Sequence, residues 1–388
     1  MLPRLLIAFL LLLAAPAWAA PANPPAAAPA FDIPARSAIL IDAKSGYVFF
    51  EKDSDKPIPP ASMAKLMTQA YVFDLIKRGD VKLDQLMVVS PNAVKIGGAA
   101  GGSSTMFANP NSQVAVDDLL HGAIIQSAND ACIALAENIA TSELVFAQRL
   151  NVRAKELGLT NSSFANSTGL PDPAERMSVR DLGILARYII DTYPEFYKIY
   201  GQREFTWNKI TQPNRNPLLK DYDGADGMKT GYTKESGYSL VGSAERDGRR
   251  LIIVVAGLDS VSARQQAAQK LLDYGFAQFK PIRVYEPGDV VVKARVWGGD
   301  TPWVDLVAPQ GFDTALAPFE QNKADISVSY SRPLMAPVKA GTPQGVIRLK
   351  VDGQVMAEAK LETATDVPAT TSMWHKALDT ALIALFGG

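Results

Sequence analysis

Pro59-Pro60-Ala61-Ser62-Met63-Ala64-Lys65-Leu66-Met67 opens a helical pattern that runs from Ala61 to Lys77, and Lys65 is the only charge between Lys56 and Asp74. A lone lysine among apolar and small neighbours is costly to bury, because a low-dielectric surround disfavours the ammonium form. Its pKa is expected to fall, and a second cation nearby would lower it further. A neutral lysine amine is a competent base. Ser62 lies three residues earlier, one helical turn away on the same face and within reach of that amine. A serine hydroxyl needs such a partner to become a nucleophile. The two prolines ahead of it put Ser62 in the first turn, where unpaired backbone N–H groups favour developing negative charge. By itself, an S-x-x-K spacing more often marks a capping serine followed by a snorkelling lysine.

Two elements further along change that weighting. Ser127-Ala128-Asn129 ends an apolar run, Leu119 to Gln126, whose only titratable group is His121. A polar triplet there is expected to face an interior cleft rather than solvent. A competing S-x-N, Ser90-Pro91-Asn92, reads instead as a surface helix start, because proline favours the first helical position. Asp226-Gly227-Met228-Lys229-Thr230-Gly231-Tyr232 precedes a strong hairpin and reads as an edge strand. Its glycines leave the backbone bare, so that an extended peptide could pair alongside. Lys229 would supply positive charge to a carboxylate, and would also be the second cation beside Lys65.

Composition narrows the chemistry. Lys and Arg number 39 and Asp and Glu 40 in 388 residues, so clustered positive charge for nucleic acid is lacking. Cys132 is the only cysteine, which excludes an internal disulfide, and its apolar neighbours mark it as a buried small residue. With only His121 and His375, a zinc site lacks recognisable ligand spacing and a Ser-His-Asp triad has few options. No metal or cofactor is implied.

The N-terminus, residues 1–19, has Arg4, an apolar run from Leu5 to Leu13 and a small-x-small site at Ala17-Trp18-Ala19. This is the pattern of a signal peptide, too short to span a bilayer. Residues 20–34 are rich in Pro and Ala and read as a linker. Residues 35–280 then hold a first domain: a hairpin (Ser37 to Ile41, Tyr47 to Phe50), helices at Asp117 to Gln126 and Asp130 to Ala140 with Asp130 as N-cap, a hairpin from Tyr238 to Leu258, and a helix from Ser262 to Phe276. Strands at both ends with helices between predict an α/β (α+β) fold, a mixed and mainly antiparallel sheet flanked by helices. Residues 283–362 show short Val- and Leu-rich runs between Pro-Gly and Asp-Gly turns, as in a small all-β, sandwich-like domain. Residues 372–388 form an amphipathic helix with Trp374, Ala377, Leu378, Ala381, Leu382 and Leu385 on one stripe. Insertion of that stripe into the surface of a membrane is expected.

The ordered set S-x-x-K, S-x-N and K-T-G resembles the penicillin-interacting serine peptidases and serine β-lactamases. Four segments are most similar to the low-molecular-mass penicillin-binding proteins that are D-alanyl-D-alanine carboxypeptidases: Pro60 to Lys65, Gly102 to Phe107, Ile124 to Cys132 and Asp226 to Gly231. The resemblance implies a β-lactamase/transpeptidase-like fold. It also implies an acyl-enzyme on Ser62, with Lys65 as base and Ser127 relaying a proton to the departing D-alanine. Asn129 would hold the substrate amide. Lys229, Thr230, Gly231 and Arg264 would bind near the terminal carboxylate, and the backbone N–H groups of Ser62 and Tyr232 would form the oxyanion hole. The substrate implied is the peptidoglycan stem pentapeptide, with β-lactams as covalent inhibitors, at the periplasmic face of the inner membrane. A β-lactamase would share the acylation chemistry. However, the window Gly158 to Ala174 contains no glutamate of the kind that drives fast deacylation in class A enzymes. Transpeptidase or endopeptidase side activity, and a non-catalytic binding module, remain open at this point.

Overall fold

The computed structural model describes residues 31–386. The expected signal peptide lies outside them, as do residues 20–30 of the expected linker. The central sheet has five strands in the order Val48–Lys52, Ser37–Asp42, Arg249–Leu258, Gly237–Arg246 and Ala225–Thr233. All four pairings are antiparallel. The last strand is therefore the free edge predicted for the K-T-G segment.

The unbroken apolar run from Leu251 to Leu258 is explained by burial on both faces, which removes the polar alternation of a half-exposed strand. Ile252, Val254 and Ala256 join the core under the helices Lys65–Arg78 and Val179–Thr192. Leu251, Ile253 and Val255 join the opposite core, covered by the helix Val261–Gln278. The hairpin turns at Asp247 and Gly248, both with positive φ (51° and 73°), the geometry that a two-residue loop between twisted strands requires. Upstream of the first strand, Ile33 is buried and Phe31 stacks on Tyr274, so the chain already contacts this core before Ala35.

Two local readings change. The helix expected from Ala61 begins as a 3-10 turn, Ala61–Ala64, and becomes an α-helix only at Lys65. Asp130 is not an N-cap. The helix Asn129–Ala140 starts one residue earlier, behind Ala128, and the Asp130 carboxylate points sideways into a neighbouring loop. Ser90 does cap the helix Pro91–Gly97, accepting a bond from the Ala93 N–H at 2.9 Å.

From Lys280 the chain is β-rich. Six strands, from Val290–Trp297 to Gln354–Thr363, form one sheet, and Lys280–Tyr285 pairs with Phe312–Leu316. Aromatic contacts join this region to the first: Phe279 packs on Phe49 and on Phe319, and the Tyr47 hydroxyl donates to Glu320. The chain closes with the helix Met373–Phe386. Its Asp379 is buried and accepts the Gly298 N–H at 3.0 Å, and its Thr380 hydroxyl accepts from the Trp297 indole. Met373, Trp374 and Leu378 point outward, at 78%, 86% and 58% exposure. The helix thus rests on the β-rich unit by its polar side, leaving its apolar side open. No helix among the described residues is long and apolar enough to cross a membrane.

Candidate active site

Pro59 and Pro60 end the preceding extended segment. Ala61 then takes a left-handed conformation (φ 48°), and the 3-10 turn follows. A 3-10 helix has three residues per turn, which brings side chains at i and i+3 into line. Ser62 Oγ and Lys65 Nζ accordingly lie 2.8 Å apart. Lys65 has no exposed surface and donates to the Thr168 carbonyl at 2.6 Å. Burial pulls its pKa down to about 8, and Arg215 pulls in the same direction. The amine is thus deprotonated at far lower pH than a solvated lysine, as a base partnered to a serine needs.

The strand Ala225–Thr233 passes directly over this turn. A Cβ on Gly231 would meet the Pro60 carbonyl at 2.9 Å and Met63 Cγ at 3.0 Å. Glycine is therefore needed for close approach to the serine turn. Lys229 is buried and donates to the Thr230 carbonyl at 3.0 Å. Burial lowers its pKa well below the usual lysine value, with repulsion from Lys65, Arg215 and Arg264 adding to the fall. Lys229 and Lys65 lie close enough to repel each other, and Arg215 adds to the positive field that both lysines feel. Arg264, on the helix that follows the hairpin, is also buried and lies over Tyr238, on which Tyr232 stacks at 4.3 Å. Tyr232 is half exposed at the strand's outer end.

The second wall is the junction between the helices Val116–Ile125 and Asn129–Ala140. Ser127 turns there with φ 60°. Ser127 Oγ and Asn129 Oδ1 are both buried without a hydrogen-bond partner among the described residues. Buried polar atoms are ordinarily paired, so these two are suited to meeting a substrate. Sequence reasoning named Ser62, Lys65, Ser127, Asn129, Lys229, Thr230, Gly231, Tyr232 and Arg264 as candidates, and the structure brings Lys65, Lys229, Arg264 and the helix that carries Asn129 near one another. Sequence reasoning did not find what holds the elements together. Asp130 accepts from Thr105 Oγ1 (2.6 Å) and from the N–H groups of Met106 (3.1 Å) and Ala108 (3.2 Å). Arg215 donates to Ser104 Oγ at 2.8 Å. The small hairpin Glu204–Trp207 and Ile210–Pro213 reaches the same loop, through Gln212 to the Thr105 carbonyl and Asn208 to the Phe107 carbonyl. The signals for these contacts were the segments Gly102 to Phe107 and Ile124 to Cys132, which carry the resemblance but do not show the pairing.

His121 contacts Asp117, Gln202 and Phe205, none of them a site residue. Cys132 is buried, and burial pushes its thiol up to about 12.

Two family models match the chain: D-alanyl-D-alanine carboxypeptidase over residues 22–260, and the penicillin-binding protein 5 C-terminal domain over residues 279–369. The chain is 40% identical to the D-alanyl-D-alanine carboxypeptidase DacC of Escherichia coli, over 91% of this chain and 88% of that protein. Among solved structures it is similar to penicillin-binding protein 5 of Haemophilus influenzae. There the TM-score is 0.74 and the identity 36%, with 87% of this chain and 98% of that one covered. It is also similar to penicillin-binding protein D2 of Listeria monocytogenes in its ampicillin-bound form, with TM-score 0.56 and 28% identity, over 64% of this chain and all of that one.

Proposed function

The chain belongs to the D-alanyl-D-alanine carboxypeptidase family of serine peptidases, and from that premise we propose that Ser62 is the nucleophile that takes the acyl group of a peptidoglycan stem pentapeptide. The observation that carries this reading is the 2.8 Å contact between Ser62 Oγ and a buried Lys65 whose pKa is held near 8.

The neutral Lys65 amine takes the Ser62 proton as Oγ attacks the carbonyl carbon of the penultimate D-alanine. The charge that develops on the carbonyl oxygen is met by the backbone N–H groups of Ser62 and Tyr232, which stabilise it only in the transition state. Ser127 passes a proton to the departing amine. The C–N bond breaks, D-alanine leaves, and an ester on Ser62 remains. Water then attacks that ester and returns the proton to Ser62. Asn129 orients the scissile amide, while Lys229, Thr230, Gly231 and Arg264 form the end of the site that receives the terminal carboxylate. The peptide lies along the free edge of Ala225–Thr233, where unpaired backbone groups are available. β-Lactams, which present a similar strained amide and carboxylate, acylate the same serine.

The leader over residues 1–19 directs the protein out of the cytoplasm. The helix Met373–Phe386 anchors it to the outer surface of the inner membrane, and its outward Met373, Trp374 and Leu378 support this reading. The β-rich unit spaces the active site from the membrane.

The test pairs wild type with Ser62→Ala. Both are incubated with a fluorescent penicillin, and D-alanine release from a D-Ala-D-Ala peptide is followed in parallel. Stable labelling and D-alanine release by wild type alone is the expected result. Labelling or release by Ser62→Ala would overturn the assignment of the nucleophile.

A further inference from the structure

Glu175 lies just beyond the loop that faces the serine turn, and the steps above make no use of it. It is 2% exposed. One of its carboxylate oxygens, Oε2, accepts the N–H groups of Ala165 at 2.8 Å and Asn166 at 3.3 Å. The other, Oε1, is buried without a partner among the described residues. Asn166 Oδ1 in turn accepts from the N–H groups of Thr168 (3.0 Å), Gly169 (2.8 Å) and Leu170 (3.2 Å). The loop folded by these bonds presents the Thr168 carbonyl to Lys65 Nζ and the Ser167 carbonyl to Thr68, one turn further along the same helix. It also abuts the serine turn, since a Cβ on Gly169 would overlap the Ala61 carbonyl.

We infer that Glu175 is a positioning residue for acylation: its carboxylate fixes the Asn166 bracket, the bracket fixes the Thr168 carbonyl, and that carbonyl aims Lys65 at Ser62. The inference rests on the reading of Ser62 and Lys65 as the acylating pair. Its charge acts on the base as well. The titratable groups around it are Asp172 in the same loop, Lys65 from the serine helix, and Glu143, which holds Ser167 from the helix Glu143–Glu156. Arg176 follows it in the chain, but its guanidinium is turned away towards the Glu175 carbonyl and Glu235. Burial pushes the Glu175 carboxyl up to about 7, with Lys65 opposing the rise. In return, the ionised carboxylate favours the Lys65 ammonium. Glu175 therefore holds the base in place while delaying its deprotonation.

The two effects separate in two variants of the full-length protein. The rate of labelling by a fluorescent penicillin is measured from about pH 6 to about pH 10 for wild type, Glu175→Gln, Glu175→Ala and Ser62→Ala. Glu175→Gln keeps an oxygen for the two N–H groups and removes the charge. Its acid limb moves to lower pH, so that at about pH 7.5 it acylates roughly threefold faster than wild type. Glu175→Ala removes the bracket's anchor. Its rate at high pH falls roughly tenfold, with KM for the D-Ala-D-Ala peptide little changed. A role in folding alone would lower both variants and leave the limb where it is. A Glu175→Ala rate at high pH equal to that of wild type overturns the inference; should that variant not fold, Asn166→Ala removes the same bracket and gives the same reading. A Glu175→Gln profile that superimposes on wild type overturns the effect of the charge alone. Labelling of Ser62→Ala would instead overturn the acylating pair itself.

Discussion

The Asp130 carboxylate accepts a hydrogen bond from Thr105 Oγ1 at 2.6 Å and so ties the helix that carries Asn129 to the loop that walls the site. Two backbone N–H groups of that loop depend on the same carboxylate. Removing it leaves those three buried donors, and the Ala131 N–H as well, without this acceptor. Asp130→Ala is expected to lose about 3 kcal/mol of stability and to slow acylation. Thermal unfolding and penicillin labelling check this, and an unchanged melting temperature would count against the role of the clasp.

Acylation should rise with pH and reach half its maximum near pH 8. With Lys65 as the proposed base, active when neutral, the controlling pKa is the one burial holds at about 8. Below that value the ammonium form dominates, and the rate is expected to fall about tenfold per pH unit. Lys65→Arg stays protonated at every accessible pH and should not label. A flat profile between about pH 6 and pH 9 would remove Lys65 from the role of base.

Gly231→Ala places a methyl group 2.9 Å from the Pro60 carbonyl and 3.0 Å from Met63 Cγ. The edge strand must then back away from the serine turn. A shift of that kind costs about 1–3 kcal/mol in packing and on the order of 100-fold in acylation. Labelling rates with a parallel melt separate the two effects.

Penicillin bound to Ser62 should leave slowly. The window Gly158 to Ala174 has no glutamate, and the next one, Glu175, spends one oxygen on the backbone of its own loop. Nitrocefin should give a single burst of product equal to the enzyme present. Rapid continued turnover would favour a β-lactamase.

Truncation after Thr371 should move the protein from the membrane fraction to the soluble one. A high-salt wash should not release the full chain, because the helix face left outward is apolar rather than charged. Retention of the truncated protein in the membrane would rule out the helix as anchor.

Local turn chemistry is legible in the sequence where glycine marks it. Asp247-Gly248 announced its hairpin because both residues tolerate positive φ. The second hairpin, Glu204–Trp207 with Ile210–Pro213, is illegible for the same reason in reverse: its turn uses Asn208 and Lys209 at positive φ, without a glycine to signal it. The helix Val179–Thr192, capped by Ser178, supplies much of the core under the sheet and is a structural finding beyond the sequence expectations.

Spacing along the chain marked out the candidate residues, and the resemblance of the ordered motifs implied their roles. Ser62 and Lys65 are three apart, the polar triplet ends a buried run, and a lysine sits between glycines on an edge strand. Each is a short-range pattern, fixed by helical or strand periodicity. Tertiary structure alone decided how those residues are held. The carbonyl that accepts from Lys65 belongs to Thr168, and an arginine whose charge reaches it is Arg215. The carboxylate behind the loop is Glu175, and the polar contacts of Asp379 turn the last helix outward. A buried polar group must find its partner wherever folding brings one, and that partner carries no mark of the pairing in its own neighbourhood of the sequence.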